Sequence, residues 1–156
     1  MTANYAERLQ ELDIALPKLA APLANYVPAV ISGDLLYISG QLPAGAGEMT
    51  TGHLGKDVSI EDGAAAARQC AVNIIAQARA ALDGDLNRIV RCVRLGGFVS
   101  STPDFTDHPK VINGASDLIV EIFGDAGKHA RAAVGVAALP LGAAVEVEAL
   151  FEIKPE

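Results

Sequence analysis

The chain has no tryptophan, and aromatic residues make up only 4% of its 156 positions. Hydrophobic residues nevertheless account for 51% of the chain, and many of them are alanines. Because apolar residues are plentiful and the charged fraction is an ordinary 20%, this composition argues against a disordered chain. It predicts a sizeable core in which side chains are small and backbones lie close together.

Basic residues are scarce as well: 12 Lys and Arg against 19 Asp and Glu leave a net charge of −7. Nucleic-acid binding depends largely on Lys and Arg that neutralise phosphates. The chain has neither a basic run nor a stripe of alternating aromatic and basic residues, so the sequence argues against nucleic acid as a partner. A local basic pocket is still compatible with this composition.

Signals for secretion and for membrane insertion are also missing. The first 12 residues are polar and typical of a helix, without the apolar segment of a signal peptide. No apolar run approaches the roughly 20 residues that span a bilayer, so no membrane partner is expected. Cys70 and Cys92 have neither metal-binding nor redox spacing. We therefore predict a cytoplasmic protein with two buried thiols.

Motifs for cofactors and covalent catalysis are not found. His53, His108 and His129 are scattered without paired ligand spacing, so we interpret each as a surface or loop histidine. The glycines at 45 and 47 lack the third glycine and the strand–helix frame of a dinucleotide site, and there is no P-loop. No serine lies in a nucleophile elbow. The sequence predicts neither a metal nor another cofactor.

The first half of the chain shows a helix, a hairpin and a second helix. Thr2 can cap a short helix that ends near Asp13. Two apolar runs, 29–31 and 35–38, flank Ser-Gly-Asp, and this pattern predicts a β-hairpin. After a Gly- and Thr-rich loop, Ser59 can cap a helix whose apolar spacing continues to about residue 82.

The second half alternates strands with one more helix. Residues 89–100 predict a long strand, in which Gly96-Gly97 suggests a bulge or a close approach. A helix runs from Pro109 to Phe123 and ends at a glycine cap. Strands at 132–138 and 145–153 read as a final hairpin, and the last one alternates strictly between apolar and polar residues.

This order of elements predicts an α+β fold with a mixed β-sheet and two main helices on one face. Nothing left in the chain can cover the other face, so self-association is a natural solution. We expect a single domain over residues 1–156.

Two charged residues near strand starts are candidates for chemistry. Arg131 lies among small and apolar residues, and its planar guanidinium could bind a carboxylate; a solvated arginine at a strand end is the commoner alternative. Glu146 begins the polar side of the last strand, where the pattern alone favours a residue that faces solvent.

Several segments together resemble the RidA/YjgF family, from about residue 22 to 153, with a short helical extension before them. The segments are Asn25-Tyr26-Val27-Pro28, Ile38-Ser39-Gly40-Gln41, His129-Ala130-Arg131, Leu139-Pro140 and Val145-Glu146-Val147-Glu148. The stretch from Val111 to Asp117 is similar to a longer subgroup, usually labelled YjgF-like or endoribonuclease L-PSP.

The resemblance implies a chorismate-mutase-like fold and a homotrimer with clefts between subunits. It implies a metabolite-damage-control enzyme that hydrolyses 2-iminobutanoate, 2-iminopropanoate and related enamines to 2-oxo acids and ammonia without a cofactor. Arg131 would bind the substrate carboxylate and Glu146 would act on a water in catalysis. Tyr26, Ser39 and Asn113 would lie in or near the cleft.

The chain departs from the deaminase pattern at two positions near the arginine. Ala133 replaces the usual Ser, Cys or Thr, and Gly135 stands where a glutamate is common. The carboxylate-binding arginine is retained. Two alternatives to the deaminase therefore stay open: a trimer that binds small carboxylate metabolites without turnover and, less favoured by the acidic charge, an endoribonuclease.

Overall fold

Five strands form one mixed sheet in a computed structural model that describes residues 4–19, 25–45 and 47–156. The strands lie in the order β1-β2-β5-β3-β4. Neighbouring strands are antiparallel, except that β3 and β4 run parallel. Their bounds are β1 Ala29–Ser32, β2 Leu35–Gln41, β3 Ile89–Ser100, β4 Ala130–Val136 and β5 Val145–Ile153. The mixed sheet and the β1–β2 hairpin confirm the sequence predictions.

Three α-helices accompany the sheet: α1 (Tyr5–Glu11), α2 (Ile60–Ala81) and α3 (His108–Phe123). Ser59 caps α2, since its hydroxyl accepts the amide of Asp62 at 3.1 Å, as predicted. Asn4 caps α1; the predicted cap Thr2 lies outside the described residues. None of the described helices is long and apolar enough to cross a membrane.

The strict alternation of β5 divides the sheet into two faces. The side toward α2 and α3, called here the helix face, buries Val145, Val147, Ala149, Phe151 and Ile153 of that strand. The opposite side, called here the open face, holds half-buried Glu146, Glu148, Leu150 and Glu152. Within the described ranges, the core therefore lies between one face of the sheet and the two long helices.

The core is close-packed because its residues are small. A side-chain carbon on Gly114 of α3 would collide with the carbonyl of Ala64 on α2, so the two helix backbones touch. Both cysteines are buried and free, as predicted. Burial raises the pKa of the Cys70 thiol above its ordinary range and that of Cys92 to about 12.

One prediction about strand pairing was wrong, and one of two alternatives for Gly96-Gly97 is excluded. β4 and β5 do not form a hairpin, because β3 lies between them and α3 provides the crossover that a parallel β3–β4 pair requires. The bulges of β3 lie near its start and Gly96-Gly97 pairs regularly, so of the bulge and the close approach predicted there, the structure shows the close approach. The two glycines are there for space, since a side-chain carbon on Gly97 would come within 2.6 Å of Ile112.

Candidate functional site

Arg131 lies on the edge strand β4, one residue after the strand begins, and its register places it on the helix face. Two side chains of α3 hold its guanidinium. Nη1 donates to Asn113 Oδ1 at 2.8 Å and to Ser116 Oγ at 3.1 Å. Residues three apart lie on the same side of a helix, so α3 presents both acceptors together. The structure thus brings the predicted residues Arg131 and Asn113 into contact.

His129 completes this network from the chain just before β4. Its Nδ1 lies 2.6 Å from the carbonyl oxygen of Gly127, which can only accept, so Nδ1 carries the proton. In the neutral imidazole, Nε2, which lies 2.9 Å from Ser116 Oγ, is then the acceptor of the serine hydroxyl. Ser116 therefore donates to His129 and accepts from Arg131, and this order of bonds fixes the guanidinium.

The charge of Arg131 is uncompensated among residues 4–19, 25–45 and 47–156. Arg8, Arg68 and Arg88 form ion pairs with carboxylates, whereas Arg79, Arg91 and Arg94 form none in those ranges. No Asp or Glu in those ranges pairs with Arg131. A guanidinium that is oriented by neutral partners and lacks a protein carboxylate is well suited to an anionic ligand.

Glu146 lies on the open face of the central strand β5. Its carboxylate packs over Gly40 of β2, where a side-chain carbon would come within 2.5 Å of Glu146 Oε1. The β2–β5 register is broken at this point, between Ile38 and Gln41. Burial first, and then the charge of Glu148, raise the pKa of the Glu146 carboxyl. Glu146 therefore holds a proton at a higher pH than an ordinary glutamate does.

Tyr26 and Ser39 belong to the same region as Glu146. The Ser39 hydroxyl donates to the carbonyl of Val27 at 2.8 Å, and its amide donates to that of Pro28 at 2.9 Å. These bonds tie the segment that carries Tyr26 to β2, directly beside Gly40. The Tyr26 side chain is 62% exposed, so its ring is available for contact with another molecule.

The five predicted site residues therefore form two groups within one chain. Arg131 is in register with Leu95 of β3, which pairs with Ala149 of β5. Glu146 precedes Ala149 by three residues, so it lies on the opposite face, about 10 Å along the strand and about 10 Å across the sheet from Arg131. One group holds Arg131 and Asn113, and the other holds Tyr26, Ser39 and Glu146.

Sequence reasoning missed Ser116; it predicted His129 as a surface or loop histidine, and the structure places it in a loop but adds partners that were not predicted. Ser116 follows Asn113 by three residues on a predicted helix, a spacing that could have signalled a shared face. No local sequence pattern indicates that His129 belongs to the network, because its side-chain partner Ser116 lies on α3, 13 residues earlier in the chain.

Comparison with known proteins gives a family match over nearly the whole chain. The family described as "YjgF/chorismate mutase-like, putative endoribonuclease" matches residues 6–153. Protein TCP17 from Trypanosoma cruzi is 54% identical over 154 residues, which cover 97% of this chain and 96% of that protein.

Solved structures agree with this match. The Agrobacterium tumefaciens protein Atu1372, described as of unknown function, superposes with a TM-score of 0.88 at 52% identity, over 96% of this chain and 94% of that one. RidA from the Antarctic bacterium Psychrobacter sp. PAMC 21119 gives a TM-score of 0.58 at 32% identity, over 85% and 92% of the two chains. The resemblance seen in the sequence motifs is confirmed.

Proposed function

Because this chain belongs to the YjgF/chorismate mutase-like family, we propose that it is a cofactor-independent deaminase of small 2-imino acids and their enamine tautomers. The products are the corresponding 2-oxo acid and ammonia. One observation carries the proposal: Asn113 and Ser116 orient the Arg131 guanidinium, and no carboxylate of the described residues neutralises it. Every 2-imino acid presents a carboxylate next to the reacting carbon, which Arg131 would bind.

The reaction needs little more than positioning. The imine carbon is already electrophilic, so a bound water can add to it and form a C–O bond. Glu146 accepts a proton from that water and delivers it to the nitrogen, which gives a carbinolamine as the C=N π bond is lost. Glu146 then moves the hydroxyl proton to the amine, a C=O bond forms as the C–N bond breaks, and ammonia leaves. Acid–base assistance of this kind contributes roughly 10²–10⁴-fold, and the orientation of the two reactants adds to it.

The environment of Glu146 supports this role. A group that must both take and give a proton works best when its pKa lies near the working pH. Burial and the neighbouring Glu148 shift the pKa of Glu146 upward, which is the required direction. An ordinary exposed glutamate would be a weaker base and would accept the proton of the water less readily.

We further propose that the complete site forms between subunits of a homotrimer. The two groups of residues are too far apart in one chain to act on one small molecule. The open face of the sheet also leaves Val30, Tyr37 and Val134 more than 40% exposed, and no helix in the described ranges packs on it. A second copy that covers this face could bring its Glu146 group to the Arg131 group.

The test is a direct assay of imine hydrolysis. A pyridoxal-phosphate lyase generates 2-iminopropanoate, and ammonia release is followed with and without the protein. We expect the wild type to accelerate release and Glu146→Gln to lose roughly 10²–10⁴-fold of the acceleration. Glu152→Gln, a change of the same type further along the open face, serves as the control and should behave as wild type. No acceleration by the wild-type trimer would contradict the proposal.

A second candidate, a trimer that binds carboxylates without turnover, is favoured by one observation. Ala133 lies two residues after Arg131 on the same face of β4, so at this position the strand offers no hydroxyl or thiol to a ligand of Arg131. Binding of 2-oxo acids in calorimetry together with no imine hydrolysis would select this candidate.

A further inference from the structure

A cavity of about 350 Å³ opens at the end of β4 that lies farthest from Arg131. Ser101, Phe105, His108 and Gly135 contribute to its wall, together with the last residues of β4. None of the described lining residues is acidic. The proposed deamination assigns no role to this cavity.

A polar pair projects into the cavity. His108 Nε2 lies 3.2 Å from Ser101 Oγ. The Phe105 ring meets the His108 ring edge-on, with centroids 5.2 Å apart and planes at 90°. Phe105 therefore holds the imidazole in place. The Nε2 of His108 and the hydroxyl of Ser101 face the same space. With a proton on Nε2, His108 donates to Ser101 Oγ, and the serine hydroxyl is then free to donate to an oxygen acceptor in the cavity.

Gly135 creates the room that this pair needs. A side-chain carbon at this position would lie 2.5 Å from His108 Nε2 and 2.6 Å from Ser101 Oγ. The Gly135 backbone lies outside the left-handed region, so another residue could adopt its conformation. Space, and not backbone geometry, is therefore what requires glycine here.

The polar pair lies in line with Arg131. Residues 131, 133 and 135 share one face of β4 and span about 13 Å from first to last. On the facing helix, His108 precedes the Arg131 partner Asn113 by five residues, about 7.5 Å along the axis. Between Arg131 and Gly135, β4 carries only the small side chain of Ala133 on this face.

We propose that the substrates of this site carry a second oxygen acceptor, a carboxylate above all, at the far end of the side chain. This inference rests on the proposed function, in which Arg131 binds the carboxylate beside the imine. The Ser101 hydroxyl, oriented by the Nε2–H of His108, donates to the distal group. The Arg131 group and the polar pair are separated by roughly 8–13 Å along the helix and the strand. One hydrogen bond of about 2.8 Å at each end of the ligand takes up part of this separation. The remainder fits an extended acid of about five or six carbons with bonds of about 1.5 Å.

The experiment compares two acids of equal carbon number by calorimetry. 2-Oxoglutarate has the distal carboxylate and 2-oxopentanoate lacks it; both are stable counterparts of the imino acids. We expect the wild type to bind 2-oxoglutarate about tenfold more tightly or better, as a hydrogen bond to a charged group would provide. His108→Phe keeps the contact with Phe105, and Gly135→Ala displaces the imidazole. Both should abolish the preference and leave 2-oxopentanoate binding unchanged.

Two further variants separate this inference from the proposed function. Lys110→Gln removes a nearby exposed charge on α3 and should keep the preference. Arg131→Ala should weaken both acids by the same factor. Equal wild-type affinity for the two acids, or a preference that survives both His108→Phe and Gly135→Ala, would overturn the inference. In either case a loss of both acids in Arg131→Ala still supports the carboxylate site of the proposed function.

Discussion

β4 and β5 both lie beside β3, yet the burial of their side chains is determined in different ways. β5 is central, and its side chains alternate strictly between buried and half-buried. β4 is an edge strand whose residues are exposed or half-buried without a strict alternation. A central strand has a neighbour on each side and a covered face, so position along the strand alone decides burial. On an edge strand, each environment depends on what the facing helix supplies.

The two candidate residues illustrate this difference. Glu146 has its proton affinity raised by burial and by Glu148 of its own strand. Arg131 is oriented by Asn113 and Ser116, which lie 18 and 15 residues earlier in the chain. Changes at β5 should therefore act through packing and proton affinity, whereas changes at β4 should act on ligand binding and leave stability largely intact.

The largest effect is expected for Arg131→Ala. A forked pair with a carboxylate makes two charge-assisted hydrogen bonds of about 1.5–3 kcal/mol each, so their loss should weaken binding by about 10²–10⁴-fold. Arg131→Lys keeps the charge without the fork and should recover only part of this. Calorimetry with pyruvate measures the affinities, and the melting temperature controls for folding. Equal affinity in all three proteins would remove Arg131 from the site.

Phe151→Ala should give the largest loss of stability, about 3–5 kcal/mol, because the ring is fully buried on β5 and lies 5.9 Å from the Phe123 ring. Within one subunit, Val134→Ala on β4 should cost less than about 1 kcal/mol, since that side chain is 46% exposed before a second copy covers the open face. Urea unfolding at one fixed protein concentration measures both. Similar costs at the two positions would contradict the contrast between the strands.

A smaller effect is expected for Ser116, which acts through Arg131. Ser116→Ala removes an acceptor for Arg131 Nη1 and also the partner of His129. The loss of the hydrogen bond to Arg131 should cost about 0.5–1.5 kcal/mol, which weakens carboxylate binding by up to about tenfold. Ser116→Thr retains a hydroxyl and should restore binding, which a purely structural role would not require. Asp117→Asn, on the exposed neighbouring residue, is the control. Wild-type affinity in Ser116→Ala would show that Asn113 alone suffices.

The smallest effect concerns pH and Glu146. Because the folded-state pKa is raised, the protonated form is favoured by folding, so this contribution to stability is complete below the unfolded pKa and is lost as pH rises through the folded pKa. Solvent screening limits it to a few tenths of a kcal/mol. Urea unfolding at pH 4 and pH 7 should show Glu146→Gln losing less stability than the wild type as pH rises. A larger loss in the variant would reverse the assigned sign.

Most of the secondary structure could be predicted from local sequence patterns. The cap at Ser59 and the apolar spacing behind it placed α2, and the alternation after Val145 placed β5, because both patterns depend on neighbours only a few residues away. The sequence motifs also predicted Arg131 and Asn113 as site residues, and the fold brings these two side chains into contact. The pairing of β4 could not be obtained in this way, since a strand pattern does not state which strand lies beside it.

By itself, then, the sequence determined the kinds of element, their order, the faces of the helices and of β5, and the family to which the chain belongs. Only the tertiary structure decided that β4 runs parallel to β3, that Ser116 and His129 support Arg131, and that Arg131 and Glu146 lie on opposite faces of the sheet. The physical reason is range. Periodicity and capping arise from contacts within a few residues, whereas strand partners and side-chain networks arise from contacts between segments that only the completed fold brings together.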